Sequence, residues 1–312
     1  MEYIWLVVGF VLLVKGADYF VDGASSIAGK LKVPSLIIGL TVVSMGTSLP
    51  EAAVSISASL SGNNGISLGN VIGSNIFNLL VVVGVSAMLL PIATDFDILK
   101  RDMPISIAIT AALCVMLVDG NLGRLDAAIL LSLFVAYMFL LIRSALHNRV
   151  EGDEQKILSW TKSLLLSGVG VAAIIGGGQL VVNSAKTIAA ALGMGETLIG
   201  LTVVALGTSL PELVTSVVAA RKGASGIAMG NVVGSNIFNI LFVLGLAGVI
   251  SPMAADAAFF IDTGILIAAS IVMMLFAFTK KRTGRAEGAV AVLMYAAYMA
   301  YIVMRAFHLW IF

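Results

Sequence analysis

Charged residues are scarce in this chain: they make up 11% of its 312 residues, and the two signs nearly balance. Hydrophobic residues make up 60%, and the mean hydropathy is +1.07. A soluble domain of this length carries far more charge on its surface. The composition therefore predicts a protein that is embedded in lipid.

The near-zero net charge and the scarcity of cysteine and histidine argue against several classes of function. The net charge of +1 gives no basic face for nucleic acid. The single cysteine, Cys114, excludes a disulfide framework. Neither histidine nor cysteine accompanies the acidic residues of the motifs below, which argues against zinc, copper and hydrolytic chemistry. We expect no enzymatic activity, no cofactor, no nucleic-acid partner and no obligatory protein partner.

Long apolar runs divide the chain into ten candidate membrane spans. A bilayer core needs about 20 mostly apolar residues per helix and excludes irregular backbone from contact with lipid. We therefore expect an all-α membrane protein with ten transmembrane helices. The predicted spans cover residues 4–20, 34–60, 66–90, 103–118, 125–146, 164–182, 197–220, 227–250, 259–278 and 286–304.

Lysine and arginine mark the cytoplasmic side of a membrane protein. Fifteen of the eighteen basic residues fall on one side of the predicted spans. This bias places both termini outside the cytoplasm and predicts a multi-pass protein of the cell membrane, with lipid as its surroundings. The fifteen are Lys15, Lys30, Lys32, Lys100, Arg101, Arg143, Arg149, Lys156, Lys162, Arg221, Lys222, Lys280, Lys281, Arg282 and Arg285; the other three are Arg124, Lys186 and Arg305.

Two sequence motifs occur twice. GLTVVSMGTSLPE at 39–51 returns as GLTVVALGTSLPE at 200–212, and GNVIGSNIFN at 69–78 returns as GNVVGSNIFN at 230–239. Both pairs are 161 residues apart, and five predicted spans separate equivalent points. Because five is odd, the second copy enters the membrane from the opposite side. We expect two inverted five-helix repeats, residues 1–150 and 151–312, which is an architecture typical of transporters.

The first motif places polar side chains on one helical face, at spacings i, i+3, i+4 and i+7. A proline precedes each glutamate, and an interior proline removes a hydrogen bond and opens the helix about one turn upstream. We expect a broken helix whose freed carbonyl oxygens, near Gly46 and Gly207, lie beside these side chains. The face comprises Ser44, Thr47, Ser48 and Glu51 in the first copy and Ala205, Thr208, Ser209 and Glu212 in the second; the prolines are Pro50 and Pro211.

The second motif adds amides, hydroxyls and glycines. A spacing of four residues places its polar side chains on one helical face, and its glycines let a neighbouring helix approach closely. The polar set comprises Asn70, Ser74 and Asn78, with Asn231, Ser235 and Asn239. The packing glycines are Gly65, Gly69 and Gly73, with Gly226, Gly230 and Gly234.

Glu51 and Glu212 have no basic residue in the spans that carry the motifs. A carboxylate at mid-bilayer costs about 2.5 to 3.5 kcal/mol on insertion scales, so it needs a counter-charge. That charge must come from solution, as a metal cation or a proton. Oxygen ligands suit hard cations, and Ca²⁺ accepts about six to eight oxygens in a flexible geometry. Two carboxylates also neutralise one Ca²⁺.

Exchange follows from the same charges. If Na⁺ and Ca²⁺ share Glu51 and Glu212, the empty and doubly negative site is costly to carry across the membrane, so only loaded forms cycle. Two alternatives remain at this stage. Burial raises the pKa of a glutamate, so H⁺ could replace Na⁺, and a cation channel could use similar broken helices.

The doubled pattern GTSLPE followed by GNVxGSNxFN resembles the alpha repeats of the sodium/calcium exchanger family, within the calcium/cation antiporter superfamily. The resemblance implies that Glu51 and Glu212 bind both Ca²⁺ and Na⁺, with oxygens from Thr47 and Thr208. It also implies flanking Na⁺ ligands or pore lining at Ser48, Ser74, Asn78, Ser209, Ser235 and Asn239, and at the carbonyls of Ser44 and Ala205.

Two departures from the family pattern are visible. Asn239 stands where some relatives carry aspartate, which leaves stoichiometry and K⁺ dependence open. The loop between the halves is too short for the large cytosolic regulatory region of eukaryotic relatives, so the resemblance is to the prokaryotic type without a regulatory domain. Proton-coupled relatives usually show a different acidic helix motif, which favours Na⁺ here.

Overall fold

Helices dominate the computed structural model, which describes residues 1–147, 158–192 and 205–306. Their bounds are α1 (Glu2–Leu31), α2 (Ser35–Ile38), α3 (Ser44–Thr47), α4 (Leu49–Leu60), α5 (Asn64–Phe77), α6 (Val83–Leu89), α7 (Met103–Met116), α8 (Arg124–His147), α9 (Trp160–Ala191), α10 (Ala205–Thr208), α11 (Leu210–Arg221), α12 (Ser225–Phe238), α13 (Gly245–Ile250), α14 (Ala257–Lys280) and α15 (Arg285–Ala306). Between some of these helices lie π-helical segments at Gly39–Val43, Asn78–Val82, Ile98–Asp102 and Asn239–Leu244.

Within those ranges, seven helices are long and apolar enough to cross a membrane. A bent pair, Ser35–Thr47 and Leu49–Leu60, is an eighth candidate span. The predicted helical, multi-pass membrane protein is therefore confirmed. Ten spans, their inverted arrangement and the side of the termini stay predictions. The seven helices are Glu2–Leu31, Asn64–Leu89, Arg124–His147, Trp160–Ala191, Ser225–Ile250, Ala257–Lys280 and Arg285–Arg305.

Two helices are longer than the spans predicted for them. The predicted span 4–20 belongs to the 30-residue α1, and the predicted span 164–182 belongs to the 32-residue α9. Charged residues such as Asp22 end an apolar run, but they do not interrupt helical hydrogen bonding. The predicted span 103–118 is the 14-residue α7, preceded by a π-helical segment. Residues 197–204 of the predicted seventh span, and the basic residues Arg149 and Lys156, lie outside the described residues.

Helices α1 and α9 pack along a seam of glycines spaced seven residues apart. A Cβ atom added at Gly9 would lie 2.9 Å from the carbonyl oxygen of Gly177, and one at Gly16 would lie 2.9 Å from that of Gly170. A Cβ atom at Gly23 would lie 2.7 Å from the carbonyl oxygen of Ser163. Residue numbers rise along α1 as they fall along α9, so the two helices are antiparallel and their backbones touch.

The centre of the protein is formed by the helices that carry the second motif. In both Asn64–Leu89 and Ser225–Ile250, 78% of the most apolar window is buried by other parts of the protein. The corresponding share is 22% for Arg124–His147 and 11% for Arg285–Arg305. The two motif helices therefore lie inside, and the latter two are left mostly to lipid.

Two short antiparallel ladders join the halves of the sequence. Strand β1 (Ile92–Ala93) pairs with β4 (Arg282–Thr283), and β2 (Asn121–Leu122) pairs with β3 (Met253–Ala254). An offset of 161 residues, the spacing of the motifs, relates β1 to β3 and β2 to β4. The same contact between halves is thus made twice.

Candidate cation site

The first motif forms a helix that bends at Ser48. The segments Ser35–Thr47 and Leu49–Leu60 meet there at 49°, and the backbone of Ser48 leaves the helical region at φ −85° and ψ 9°. Pro50 lies in the first turn of α4, where its missing N–H needs no helical acceptor. Because proline donates no hydrogen bond, the carbonyl oxygen of Gly46 loses its usual helical donor.

The second motif copy has the same local backbone. Ser209 separates α10 from α11 at φ −91° and ψ 6°, and Pro211 lies in the first turn of α11. Each glutamate is thus in the first turn of a helix that starts at a break. A helix N-terminus favours negative charge because its backbone N–H groups point toward it.

The glutamates are held across the two copies. Ser48 Oγ donates a hydrogen bond of 2.7 Å to Glu212 Oε1, and Ser209 Oγ donates one of 3.0 Å to Glu51 Oε1. Thr208 also lies close enough to interact with the Glu51 carboxyl group. The structure therefore brings the two predicted acidic residues and their serines into one cluster.

Both carboxyl groups are fully buried, with 0% exposure. In the described part of the chain, no lysine, arginine or histidine nitrogen lies within 4.0 Å of either group. The Oε2 atoms of Glu51 and Glu212 have no hydrogen-bond partner among these residues. Two buried acceptors thus lack a protein donor or counter-charge.

The other buried acidic residues of the described chain are paired differently. Asp102 receives two hydrogen bonds of 2.9 Å from Arg101, and Asp262 receives bonds of 3.1 and 2.8 Å from Arg305. These pairs neutralise their own charge. The same ranges contain no group of three or more His, Cys, Asp or Glu residues that could hold a metal. A cation at Glu51 and Glu212 would need neutral oxygens for its remaining ligands.

The threonines could supply such oxygens, because their hydroxyl groups donate elsewhere. Thr47 Oγ1 donates to Asn231 Oδ1 at 3.0 Å, and Thr208 Oγ1 donates to Asn70 Oδ1 at 3.5 Å. A hydroxyl that donates its proton keeps oxygen lone pairs for another contact. Thr47 Oγ1 also lies 3.3 Å from the Ser44 carbonyl oxygen. Both predicted threonine ligands thus lie in the cluster that holds the glutamates, and their binding of a cation stays a prediction.

Asn70 and Asn231 lie on the predicted polar face of their own motif copy, and each links several groups of the site by hydrogen bonds. Asn231 Nδ2 donates to the Glu212 carbonyl oxygen at 3.4 Å and to Ser216 Oγ at 2.9 Å. Asn70 Nδ2 makes the equivalent bonds to the Glu51 carbonyl oxygen at 3.2 Å and to Ser55 Oγ at 2.9 Å. Each amide therefore joins a glutamate backbone to the threonine of the other copy.

Two asparagines in this region were missed in the sequence. Asn75 and Asn236 lie one residue beyond the predicted serines, off the predicted polar face, and both are buried. They bond to each other's carbonyl oxygens and to Asn239 and Asn78. Their identity in both copies of GSN was the signal that could have found them.

The remaining predicted ligands differ in the hydrogen bonds that they make within the protein. Ser235 Oγ donates to the Ser44 carbonyl oxygen at 3.4 Å, and the Ser48 N–H donates to the same oxygen at 3.0 Å. Ser74 Oγ is buried and has no hydrogen-bond partner in the described residues. Ala205 is the first residue of α10. The predicted Ser44 carbonyl ligand is thus already used by the protein.

The predicted packing glycines differ between the copies. A Cβ atom added at Gly230 would lie 2.8 Å from the Leu36 carbonyl oxygen, and one at Gly234 would lie 2.8 Å from that of Leu40. Helix α12 therefore touches the backbone of the bent span. A Cβ atom at Gly69 would meet only the Phe259 ring at 3.7 Å, and one at Gly73 would meet no described atom within 4 Å. The segment equivalent to the bent span, residues 197–204, lies outside the described residues.

The sequence matches one protein family along nearly its whole length. The family described as sodium/calcium exchanger protein covers residues 1–143 and 162–304. Both copies of both motifs fall within those ranges.

Several known proteins resemble this chain in sequence or in structure over nearly its whole length. CaxA of Alkalimonas amylolytica is 39% identical over 308 residues, covering 95% of this chain and 96% of its own. The sodium/calcium exchanger MaX1 of Methanosarcina acetivorans is 38% identical, covering 96% and 97%. A solved structure of the sodium-calcium exchanger NCX_Mj superposes with a TM-score of 0.85 at 34% identity, over 96% of this chain and 97% of that one.

Proposed function

The chain belongs to the sodium/calcium exchanger family of membrane antiporters, and we propose that it exchanges Ca²⁺ for Na⁺ at a site built around Glu51 and Glu212. The observation that carries this proposal is the pair of buried carboxyl groups with no basic residue beside them in the described chain. One Ca²⁺ balances both charges.

The neutral oxygens around the carboxyl groups support a hard cation. Glu51 and Glu212 each have a buried Oε2 without a described partner, and Thr47 and Thr208 donate their protons to asparagines. Such a set resembles the carboxylate, hydroxyl and carbonyl oxygens that bind Ca²⁺ and Na⁺ rather than zinc or copper. Ser48, Ser209, Ser74, Ser235, Asn78 and Asn239 are the further candidate Na⁺ ligands.

Alternating access would follow from two inverted repeats, residues 1–150 and 151–312. Three features support this arrangement: antiparallel packing of α1 on α9, equivalent serine–glutamate bonds, and ladders related by the motif offset. The two carboxyl groups lie where the motif copies meet, so rocking one repeat element against the rest would open the site to each side in turn.

Proton-coupled Ca²⁺ antiport is the second candidate. Buried carboxyl groups can take up protons in place of Na⁺, and family membership alone leaves the coupling ion open. We favour Na⁺ because MaX1 and NCX_Mj, which each align with 96% of this chain, are named sodium/calcium exchangers.

The test is a comparison of driving gradients in proteoliposomes. Vesicles loaded with Na⁺ and diluted into Na⁺-free medium should take up ⁴⁵Ca²⁺, and a proton ionophore should leave that uptake intact. Vesicles with only a proton gradient should take up little. The reverse pattern would support proton coupling, and uptake with neither gradient imposed would indicate a channel. Uptake in none of the three conditions would overturn Ca²⁺ as the substrate.

A further inference from the structure

Four buried asparagines form a brace between α5 and α12 and the π-helical turns that follow them. Asn75 Nδ2 donates to the Asn236 carbonyl oxygen at 3.0 Å, and Asn236 Nδ2 donates to the Asn75 carbonyl oxygen at 3.1 Å. Asn78 Nδ2 donates to Asn236 Oδ1 at 3.2 Å, and Asn239 Nδ2 donates to Asn75 Oδ1 at 3.1 Å. All four bonds cross between the two copies of the motif, and the four residues are called the amide brace below.

The backbone carbonyls determine the orientation of every amide in the brace. A carbonyl oxygen only accepts hydrogen bonds, so Asn75 and Asn236 must turn their NH₂ groups toward it. Their Oδ1 atoms then face Asn239 and Asn78, respectively. An Oδ1 atom also only accepts, so Asn239 and Asn78 must turn their own NH₂ groups toward the brace. No alternative flip satisfies all four bonds.

The consequence is that one oxygen atom is left over on each outer asparagine. Asn78 Oδ1 and Asn239 Oδ1 are buried and have no hydrogen-bond partner among the described residues. A buried carbonyl oxygen without a donor is costly, and a cation would satisfy it. An NH₂ group in the same place would repel a cation.

We propose that Asn75 and Asn236 are positioning residues, which lock the amides of Asn239 and Asn78 so that each presents oxygen to the transported cation. This inference rests on the proposed function, in which Asn78 and Asn239 are Na⁺ ligands. It adds two residues that do not touch the cation. It also assigns the control in a crossed sense: Asn236 orients Asn78, and Asn75 orients Asn239.

The first experiment removes the brace acceptors. Asn236→Leu and Asn75→Leu replace an amide with an apolar side chain of similar size, which allows the partner asparagine to rotate. Each should raise the Na⁺ concentration needed for half-maximal ⁴⁵Ca²⁺ efflux by about 10- to 100-fold, the scale of losses when residues that orient metal ligands are removed. Asn236→Ser, with a side chain too short to accept from Asn78, provides a second variant should leucine prevent folding.

Asn64→Leu is the matched control. Asn64 Nδ2 also makes two bonds to the other half of the chain, at 3.0 Å to Ser251 Oγ and 2.8 Å to the Pro252 carbonyl oxygen. It lies at the opposite end of α5, about 20 Å from Asn78 along the helix axis. Asn64→Leu should lower the thermal midpoint without changing the Na⁺ concentration needed for half-maximal ⁴⁵Ca²⁺ efflux.

The second experiment tests orientation directly. Aspartate has two equivalent oxygens, so an aspartate at position 78 presents oxygen whichever way it turns. Asn236→Leu should therefore have little effect on the half-maximal Na⁺ concentration in the Asn78→Asp background and its full effect in the Asn239→Asp background. Asn75→Leu should show the opposite dependence. A purely structural brace would lower the thermal midpoint without this crossed pattern.

Equal effects of Asn236→Leu in the two aspartate backgrounds would overturn the inference. So would an unchanged half-maximal Na⁺ concentration in Asn236→Leu or, where that variant does not fold, in Asn236→Ser. These failures differ from failure of the proposed function, because the unsubstituted protein would still couple Ca²⁺ uptake to Na⁺. Absence of coupled uptake in the unsubstituted protein would overturn both.

Discussion

Ser48 and Glu212 are joined by a hydrogen bond of 2.7 Å although 164 residues separate them in the sequence. Ser209 and Glu51 form the equivalent bond at 3.0 Å. Each carboxyl group is thus held by a hydroxyl group at the helix break of the other motif copy. A substitution at the helix break of one copy should therefore affect the glutamate of the other copy.

Replacing Ser48 by alanine should weaken the binding of Na⁺ more than the binding of Ca²⁺. The substitution removes both the hydroxyl that orients Glu212 and a candidate Na⁺ ligand. We expect the Na⁺ concentration needed for half-maximal Ca²⁺ efflux to rise by about tenfold or more, the scale of losses at groups that orient metal ligands. The control is Ser57→Ala, an exposed serine on α4. An unchanged Na⁺ dependence in Ser48→Ala would remove Ser48 from the site.

Replacing Glu212 or Glu51 by glutamine should abolish coupled Ca²⁺ transport. Glutamine keeps the size of the side chain but leaves one positive charge of Ca²⁺ unbalanced. An unbalanced charge at mid-membrane costs about 2.5 to 3.5 kcal/mol, or roughly 100-fold in affinity. The measurement is Na⁺-driven ⁴⁵Ca²⁺ uptake by variants whose thermal midpoint is retained. Coupled uptake at the normal Ca²⁺ concentration would show that the carboxylate is dispensable.

The two acidic residues of the candidate site could be identified from the sequence, but the way they are held could not. A glutamate in an apolar motif with no basic residue nearby is visible in the letters alone, and the duplication doubles the signal. The hydrogen bond from Ser48 to Glu212 depends on how the two copies pack against each other, which the motifs alone do not reveal. The offset between the motif copies shows which positions are equivalent, but it does not show how far apart those positions lie in space.

The Arg305–Asp262 pair should matter for stability and not for cation affinity. Asp262 is nearly buried and bonded at two oxygens, whereas the Arg305 side chain is 33% exposed. Arg305→Met leaves a buried carboxyl group without its partner, so we expect a loss of about 1 to 3 kcal/mol in the free energy of unfolding. Adding Asp262→Asn should recover most of it, as followed by thermal unfolding in detergent. A shift in half-saturating Ca²⁺ in either variant would contradict a purely structural role.

The glycine seam between α1 and α9 should tolerate no side chain. A Cβ atom at Gly170 would lie 2.6 Å from the Phe20 backbone nitrogen and 2.8 Å from the Gly16 carbonyl oxygen. Gly170→Ala should therefore separate the helices and lower stability by about 1 to 3 kcal/mol. Gly168→Ala is the control on the same helix, since its Cβ atom would meet no described atom within 4 Å. Equal thermal midpoints for the two variants would contradict the close packing.

The lengths of these two helices also escaped prediction, for a related reason. Hydropathy locates the part of a helix that contacts lipid, whereas the ends of α1 and α9 continue past Asp22 and Ser163. Their packing is readable only in retrospect, from Gly9, Gly16 and Gly23 at intervals of seven. The bend at Ser48 was more accessible, because Pro50 has a local and predictable effect on hydrogen bonding.

The most direct test is a crystal structure of the protein soaked in Ca²⁺ or Sr²⁺, with anomalous scattering used to locate the ion. The account predicts one strong peak within about 2.3 to 2.6 Å of carboxyl oxygens from both Glu51 and Glu212, the range of Ca²⁺–oxygen contacts. That peak should weaken as Na⁺ is added. A site without a peak at saturating Ca²⁺, or a peak bound to only one of the two glutamates, would contradict the claim that a shared mobile cation balances both charges.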